Sequence, residues 1–308
     1  MTAHSITPSE TPPSKAPLII NAAITGMVPM PADNASLPVT VGQIIAEARR
    51  CADAGASIIH VHARDEDGTP TWRGEIYREI AEGIRSRCPG LLISGSTSGR
   101  LWSEFEKRSA VLDCRPDLAS LTPGSLNFPT GTSVNPPQMI RQLAAAMLER
   151  GVAPELEFFE IGMIDYVREY LVPKGILQPP FYANLLLGSL GTMAASVRNL
   201  NHMVEALPAG TVWSGAGIGR FQFPINNLAI AMGGHVRVGL EDNLWMDVDK
   251  TDPATNVRLI ERVVREAEAA GRPIASPADA RRIIGLRSNH RKAAEDESNL
   301  PHSHASIA

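Results

Sequence analysis

The chain has 308 residues, 29 basic and 33 acidic, for a formal net charge of −4, and it is 44% hydrophobic and 20% charged. This is the mix of a globular protein long enough to bury a large core without staples. It offers no basic face for nucleic acid, and no apolar run approaches the ~20 residues that cross a bilayer.

Residues 1–16 hold Ser, Thr and Pro with little to bury and no apolar stretch of the secretory type, so a flexible N-terminal tail is expected rather than a signal. From there, short and nearly continuous apolar runs alternate with amphipathic ones. The strand candidates are Leu18–Thr25, Ser57–Arg64, Leu91–Ser98, Leu118–Pro123, Glu155–Glu160, Phe181–Gly188, Val212–Gly219 and His235–Asp242. Continuous apolar runs suit parallel strands buried on both faces. A helix-like segment follows each, most clearly Val39–Ala54, Gly74–Cys88, Pro136–Arg150, Thr192–Ala206 and Ala254–Ala270. In the first, Ile44, Ile45, Ala48, Cys51 and Ala52 form one stripe, with Thr40 placed as N-cap and Ala54-Gly55 as the stop. Residues 287–308 are polar and mixed in charge and read as a second tail. Eight strand–helix repeats in about 260 residues is the count of a (β/α)₈ TIM barrel, an α/β single domain over residues 17–286. A doubly wound sheet is the rival, but the residues after the first strand, Gly26–Met30, lack its glycine fingerprint. Cys51, Cys88 and Cys114 are odd in number and far apart, so neither a disulfide framework nor a zinc knuckle is expected, and a reducing cytoplasm is the simplest location.

The second strand ends Ile58-Ile59-His60-Val61-His62-Ala63-Arg64-Asp65. Side chains at i and i+2 share a side of a strand, so His60 and His62 point together, at the C-terminal end where barrel enzymes keep their active sites. Two neutral imidazoles make half a zinc site. The alternative is one imidazole packed in the core and the other turned to solvent. On the last strand, period two puts Arg237, Gly239 and Glu241 on one face, and two histidines plus a carboxylate form a common catalytic zinc set. Asp242 follows as a candidate base; a structural Arg–Glu pair at the rim is the other reading. His235, at the opposite end, is expected to pack at the bottom of the barrel. Gly95–Arg100 could cradle an anion on its backbone N–H groups, and Gly215–Arg220 ends the strand whose loop often binds phosphate. A lone Ser120 or Glu157 is more often structural than catalytic, and Met193, Met203 and His202 read as core packing or solvent-facing residues.

With these residues in view, the chain from about Pro17 to Leu286 resembles the β-keto acid cleavage enzymes. The stretches that carry the resemblance are Asn21–Gly26, Asp53–Asp65, Gly162–Asp165, Gly215–Arg220 and Met232–Asp242. The resemblance implies a (β/α)₈ barrel in a homo-oligomer, a tetramer in the family. It also implies zinc on His60, His62 and Glu241, and further active-site positions at Ser96, Ser120, Glu157, Arg237 and Asp242. The implied reaction joins a β-keto acid and acetyl-CoA to give an acyl-CoA and acetoacetate. In that scheme Asp242 removes the proton alpha to the keto group, Arg237 balances charge, Glu157 orients Arg237, and Ser96 and Ser120 hold the substrate carboxylate. Family members that cleave 3-keto-5-aminohexanoate have Thr where this chain has Ser120, which keeps the hydroxyl. They also carry a Glu after Thr-Gly that pairs with the substrate ammonium. This chain has Val28 there, so its substrate tail is expected to be uncharged or anionic. Two other classes fit an H-x-H barrel less well. A metal-dependent hydrolase of the amidohydrolase type places its pair on the first strand and adds histidines on the fifth and sixth, which lack them here. A non-catalytic ligand-binding barrel leaves the charged strand ends without a purpose.

Overall fold

The computed structural model describes residues 16–286. Its eight apolar runs form eight parallel strands. They are β1 (Ile20–Ala23), β2 (Ile58–Val61), β3 (Leu92–Gly95), β4 (Leu118–Leu121), β7 (Ala153–Phe158), β8 (Tyr182–Leu187), β9 (Val212–Gly217) and β10 (His235–Val238). Between β4 and β7 lies an antiparallel hairpin, β5 (Leu126–Phe128) and β6 (Gly131–Ser133). The barrel closes where β1 pairs with β10, with Ile20 beside Val236 and Asn21 beside Arg237. The single-domain α/β barrel expected from the strand count is the fold observed. The tails expected at residues 1–16 and 287–308 lie outside the described residues, Ala16 apart. Among the described residues no helix is long and apolar enough to cross a membrane.

Each strand contributes one row of side chains to the surrounding helices and one to the interior. The outer row packs on α1 (Val41–Asp53), α2 (Gly74–Arg87), α3 (Phe105–Ser109), α4 (Pro137–Arg150), α5 (Ile161–Tyr166), α6 (Val197–Ala206), α7 (Gln222–Ala231) and α8 (Asn256–Ala269), in the main core. Thr40 does cap α1, in a capping box with Gln43, and Ile44, Ile45, Ala48 and Cys51 are its buried stripe. All three cysteines are free and buried. The helix expected from Thr192 starts only at Val197, capped by Ser196. The preceding residues are held in extended contact instead: Met193 N donates to Phe159 O, and Gly188 N to Met193 O.

The inner row is layered. At the bottom, Ile19, Ile58, Leu92, Leu118 and Tyr182 form a plug closed by Ala280 and Ile284 of α9 (Pro277–Ile284). His235 lies at this end, its Nδ1 accepting from Ile19 N at 3.0 Å. One period of two higher, the interior turns polar: Asn21, His60, Ser94, Glu155, Asn184, Ser214 and Arg237 are all at most 1% exposed. This polar layer is the floor of the site.

Candidate active site

Above the floor opens a cavity of about 780 Å³ whose walls include Met27, Val28, His62, Ser96, Arg100, Glu157, Arg237, Glu241 and Asp242. It lies at the C-terminal ends of the strands, and its size suits a small-molecule site.

His60 and His62 do point together. Their Nε2 atoms are 3.3 Å apart, and His62 Nε2 is 3.2 Å from Glu241 Oε1. Glu241 gets there by a route the strand pattern did not anticipate. The expected strand to Asp242 ends at Val238, and Gly239 takes φ +151°. A Cβ at Gly239 would lie 2.2 Å from Ala23 O, so only glycine lets the chain turn against β1. Glu241 N then donates to Ala23 O, and Asp242 N to Gly239 O. The turn breaks the alternation, so Glu241 and Asp242, neighbours in sequence, both reach Arg237. Gly26, at φ +71°, also leaves room for Glu241: a Cβ there would sit 2.7 Å from Glu241 Cγ.

The donor set fits a metal ion. One atom each from His60, His62 and Glu241 lie within 4.8 Å of one another. The 3.3 and 3.2 Å separations match the edges of a tetrahedron with bonds of about 2.0–2.1 Å, the zinc–nitrogen and zinc–oxygen range. Glu241 Oε2 is buried without a hydrogen-bond partner among the described residues. Burial pushes the Glu241 carboxyl up, but His62, Arg237 and His60 together pull it well below the usual carboxylate range, so it is an anionic donor.

Glu155 stands behind His60 and did not emerge from the sequence reading. Its Oε2 lies 2.8 Å from His60 Nδ1, leaving Nε2 as the free donor, and it also accepts from Ser94 Oγ. Its Oε1 takes the amides of Asn21 and Asn184. Burial raises the Glu155 carboxyl, but His60, Arg237 and Ser94 together hold the group down at about 2. Burial disfavours the His60 cation, yet Glu155 and Glu241 raise it to about 9. For His62, burial wins and lowers the pKa. The signal that could have found Glu155 is its spacing: it lies two residues before Glu157, inside a run otherwise apolar.

Arg237, 1% exposed, spreads its guanidinium over three carboxylates: Nη1 to Glu157 Oε1 at 2.9 Å, Nη2 to Glu241 Oε1 at 2.8 Å and Nε to Asp242 Oδ2 at 2.9 Å. Thr122 Oγ1 also donates to Glu157. Burial raises both Asp242 and Glu157 above ordinary carboxylates despite the pull of Arg237, which moves each towards the range of a working base.

The loops divide. Ser96 lines the cavity. Ser120 does not: it is 3% exposed, its Oγ accepts from Thr97 N at 3.0 Å, and its carbonyl from Thr97 Oγ1. The anion cradle expected of Gly95–Arg100 is not free, because the N–H groups of Ser96, Thr97, Ser98 and Arg100 donate to Val61 O, Ser120 Oγ, Ser96 Oγ and Ser98 Oγ. In Gly215–Arg220, Gly219 N is likewise taken, by Asp242 O at 2.7 Å. Val28 is 55% exposed on the cavity wall, on a loop that Arg64 fixes by donating to Gly26 O and Pro29 O. Asp33 also lines the cavity, with Oδ2 accepting from Met30 N.

Residues 17–286 match the family model described as beta-keto acid cleavage enzyme. The chain belongs to that family. It is 43% identical over 271 residues to the 3-keto-5-aminohexanoate cleavage enzyme of Fusobacterium nucleatum, covering 88% of this chain and 98% of that one. It is 36% identical over 273 residues to the 3-oxoadipate:acetyl-CoA acetyltransferase of Cupriavidus necator, covering 88% and 95%. Among solved structures, apo ObcA superposes with a TM-score of 0.72 at 22% identity, over 82% of this chain and 66% of that one, a likeness of fold. The sequence resemblance to β-keto acid cleavage enzymes thus holds over the whole described barrel.

Proposed function

We propose that this β-keto acid cleavage enzyme is a zinc-dependent acyltransferase that converts a β-keto acid and acetyl-CoA into an acyl-CoA and acetoacetate. The observation that carries the reading is the joining of two constellations on one cavity wall: His60, His62 and Glu241 as a metal-binding set, and Arg237 shared by Asp242 and Glu157 beside it. Two relatives act in the same class by name, one of them with acetyl-CoA.

Bound zinc supplies a Lewis acid for the keto oxygen. Asp242, raised by burial and held by Arg237, takes a proton from the carbon between the keto and carboxylate groups. That carbon attacks the thioester carbonyl of acetyl-CoA and expels the CoA thiolate. The thiolate attacks the original keto carbon, the bond between that carbon and the attacking carbon breaks, and the released carbanion takes the proton back from Asp242, leaving acyl-CoA and acetoacetate. Arg237 keeps one cation against the anionic charge of these steps, and Glu157 fixes its orientation. Ser96 and the cavity wall around it hold the substrate carboxylate. Val28 offers no partner to an ammonium group, and the carboxylate of Asp33 on the same wall already accepts from Met30 N, so the tail is read as not cationic.

The test is a panel of three six-carbon keto acids with neutral, anionic and cationic tails: 3-oxohexanoate, 3-oxoadipate and 3-keto-5-aminohexanoate. Each is incubated with acetyl-CoA and zinc-loaded protein, and CoA esters are read by mass. A new acyl-CoA with matching acetoacetate supports the reading; none from any panel member overturns it.

A further inference from the structure

Most cations around the cavity are already committed. Arg237 is covered by its carboxylates. Arg64 and Arg108 bind backbone carbonyls. Arg100 differs. It is partly buried and lines the cavity, and its guanidinium makes no hydrogen bond or ion pair among the described residues. Its one partner is an aromatic face, the Phe128 ring, 3.9 Å from Cζ to centroid. Arg220 and Lys250 also line the cavity but are exposed, where water and salt screen them.

The position of Arg100 is built. Its loop is clamped to the β5–β6 hairpin: Val134 N donates to Gly99 O, and Arg108 donates to Thr97 O, Val134 O and Asn135 Oδ1 at 2.9, 3.0 and 2.6 Å. On the hairpin side, Phe128 is fixed edge-on by Phe159 at 5.6 Å. A guanidinium seated over a ring by its Cζ keeps its N–H groups free for an anion. Burial lowers its pKa and the Glu241 carboxylate opposes that, which places Arg100 within electrostatic reach of the metal-binding set.

We propose that Arg100 is the binding site for a second carboxylate, at the far end of the substrate from the keto group, and that the preferred substrates are β-keto diacids. The inference rests on the acyl-transfer reading above. A paired, partly desolvated guanidinium discriminates strongly between a carboxylate and a methyl group, because an apolar tail leaves the cation without a partner. The backbone N–H groups of Ser96, Thr97, Ser98 and Arg100 are occupied, so the Arg100 side chain is the charged group this loop offers an anion.

The experiment compares 3-oxoadipate with 3-oxohexanoate, which differ only in the terminal carboxylate, on wild type, Arg100→Met and Arg100→Lys. Wild type is expected to favour the diacid in kcat/KM by at least about tenfold. Arg100→Met should lose about a hundredfold on the diacid while 3-oxohexanoate stays within about threefold, and Arg100→Lys should fall between. Equal losses on both substrates, or a wild type without preference for the diacid, overturn the proposal. If wild type turns over neither acid, the acyl-transfer reading has failed, and calorimetry on the zinc-loaded protein decides the subsite separately with adipate and hexanoate as inert probes. Tighter adipate binding that Arg100→Met abolishes upholds it; equal binding of the two, or adipate binding indifferent to the substitution, overturns it.

Discussion

Glu155 gives the sharpest quantitative test of how the barrel floor supports the metal-binding set. Its carboxylate accepts from four donors, His60 Nδ1, Ser94 Oγ, Asn21 Nδ2 and Asn184 Nδ2, each on a residue at most 1% exposed. Glu155→Leu takes the acceptor from all four in the buried floor of the barrel, where, among the described residues, Asn21 Nδ2 alone keeps a second contact, 3.4 Å from the Tyr182 hydroxyl. At roughly 1–3 kcal/mol for each buried orphan, the loss is at least about 4 kcal/mol, a large part of the ~5–15 kcal/mol that holds a domain folded. Glu155→Gln is a different perturbation. Its oxygen can face His60 and Ser94, and its NH₂ can face Asn21 and Asn184. Both of those asparagines have an Oδ1 without a partner, so rotating their amides supplies acceptors. Stability should then fall by only about 1 kcal/mol, within the net worth of a hydrogen bond. What Gln removes is the stronger of the two carboxylate influences, Glu155 ahead of Glu241, that together raise His60 to about 9 and make its Nε2 a strong donor. Zinc affinity should drop about 10–100-fold, the usual effect of losing a carboxylate behind a metal-binding imidazole. Chelator competition for zinc and denaturant melts read the two effects apart. Wild-type zinc affinity in Glu155→Gln, or wild-type stability in Glu155→Leu, would refute the reasoning.

Four other substitutions carry clear expectations. His60→Ala should strip the metal, measured as zinc content after gel filtration, and full occupancy would dismiss His60 as a ligand. Asp242→Asn should keep zinc but lower kcat by about 10²–10⁴-fold, the range for a positioned base; near-normal turnover would move the role to Glu157. Val28→Glu should shift kcat/KM towards 3-keto-5-aminohexanoate, since it places a carboxylate on the cavity wall, and unchanged selectivity would separate Val28 from the substrate tail. His235 is held neutral by burial, then by Arg272, with a folded pKa of about 3 against 6.5 unfolded. The unfolded chain therefore binds the extra proton first, so this contribution to stability is complete above pH 6.5 and is lost as pH falls towards 3, on the order of 5 kcal/mol in all. His235→Asn, which preserves an acceptor for Ile19 N, should flatten that acid limb in melts between pH 7 and 4; an unchanged slope would count against it.

The parts of the fold written in local pattern were legible in the sequence. Buried parallel strands announce themselves as apolar runs, and period two alone puts His60 and His62 on one side. The same rule placed Arg237 and Glu241 together but could not bring in Asp242 beside them, because that needs the turn at Gly239 against Ala23 O, a contact between the two ends of the barrel. Ser120 and the Gly95–Arg100 loop looked open to a ligand because their partners, each other, are 23 residues apart in sequence. Glu155 escaped notice because its donors come from β1, β2, β3 and β8. The hairpin that holds Arg100 over Phe128 has no amphipathic period, only short strands joined by Pro129-Thr130.

The closure of β1 on β10 also orders events in time. His62 and Glu241 are separated by 179 residues, and Glu241 reaches its place only when its amide finds Ala23 O at the seam between first and last strands. A chain emerging from the ribosome carries its histidine pair early but has no carboxylate to complete the set until the final strand has docked. An ion held by all three donors therefore adds its binding energy to the finished barrel alone and to no shorter intermediate. Such an ion works as a lock on the seam, and a truncated or permuted chain that fails to close there forfeits both the lock and the site.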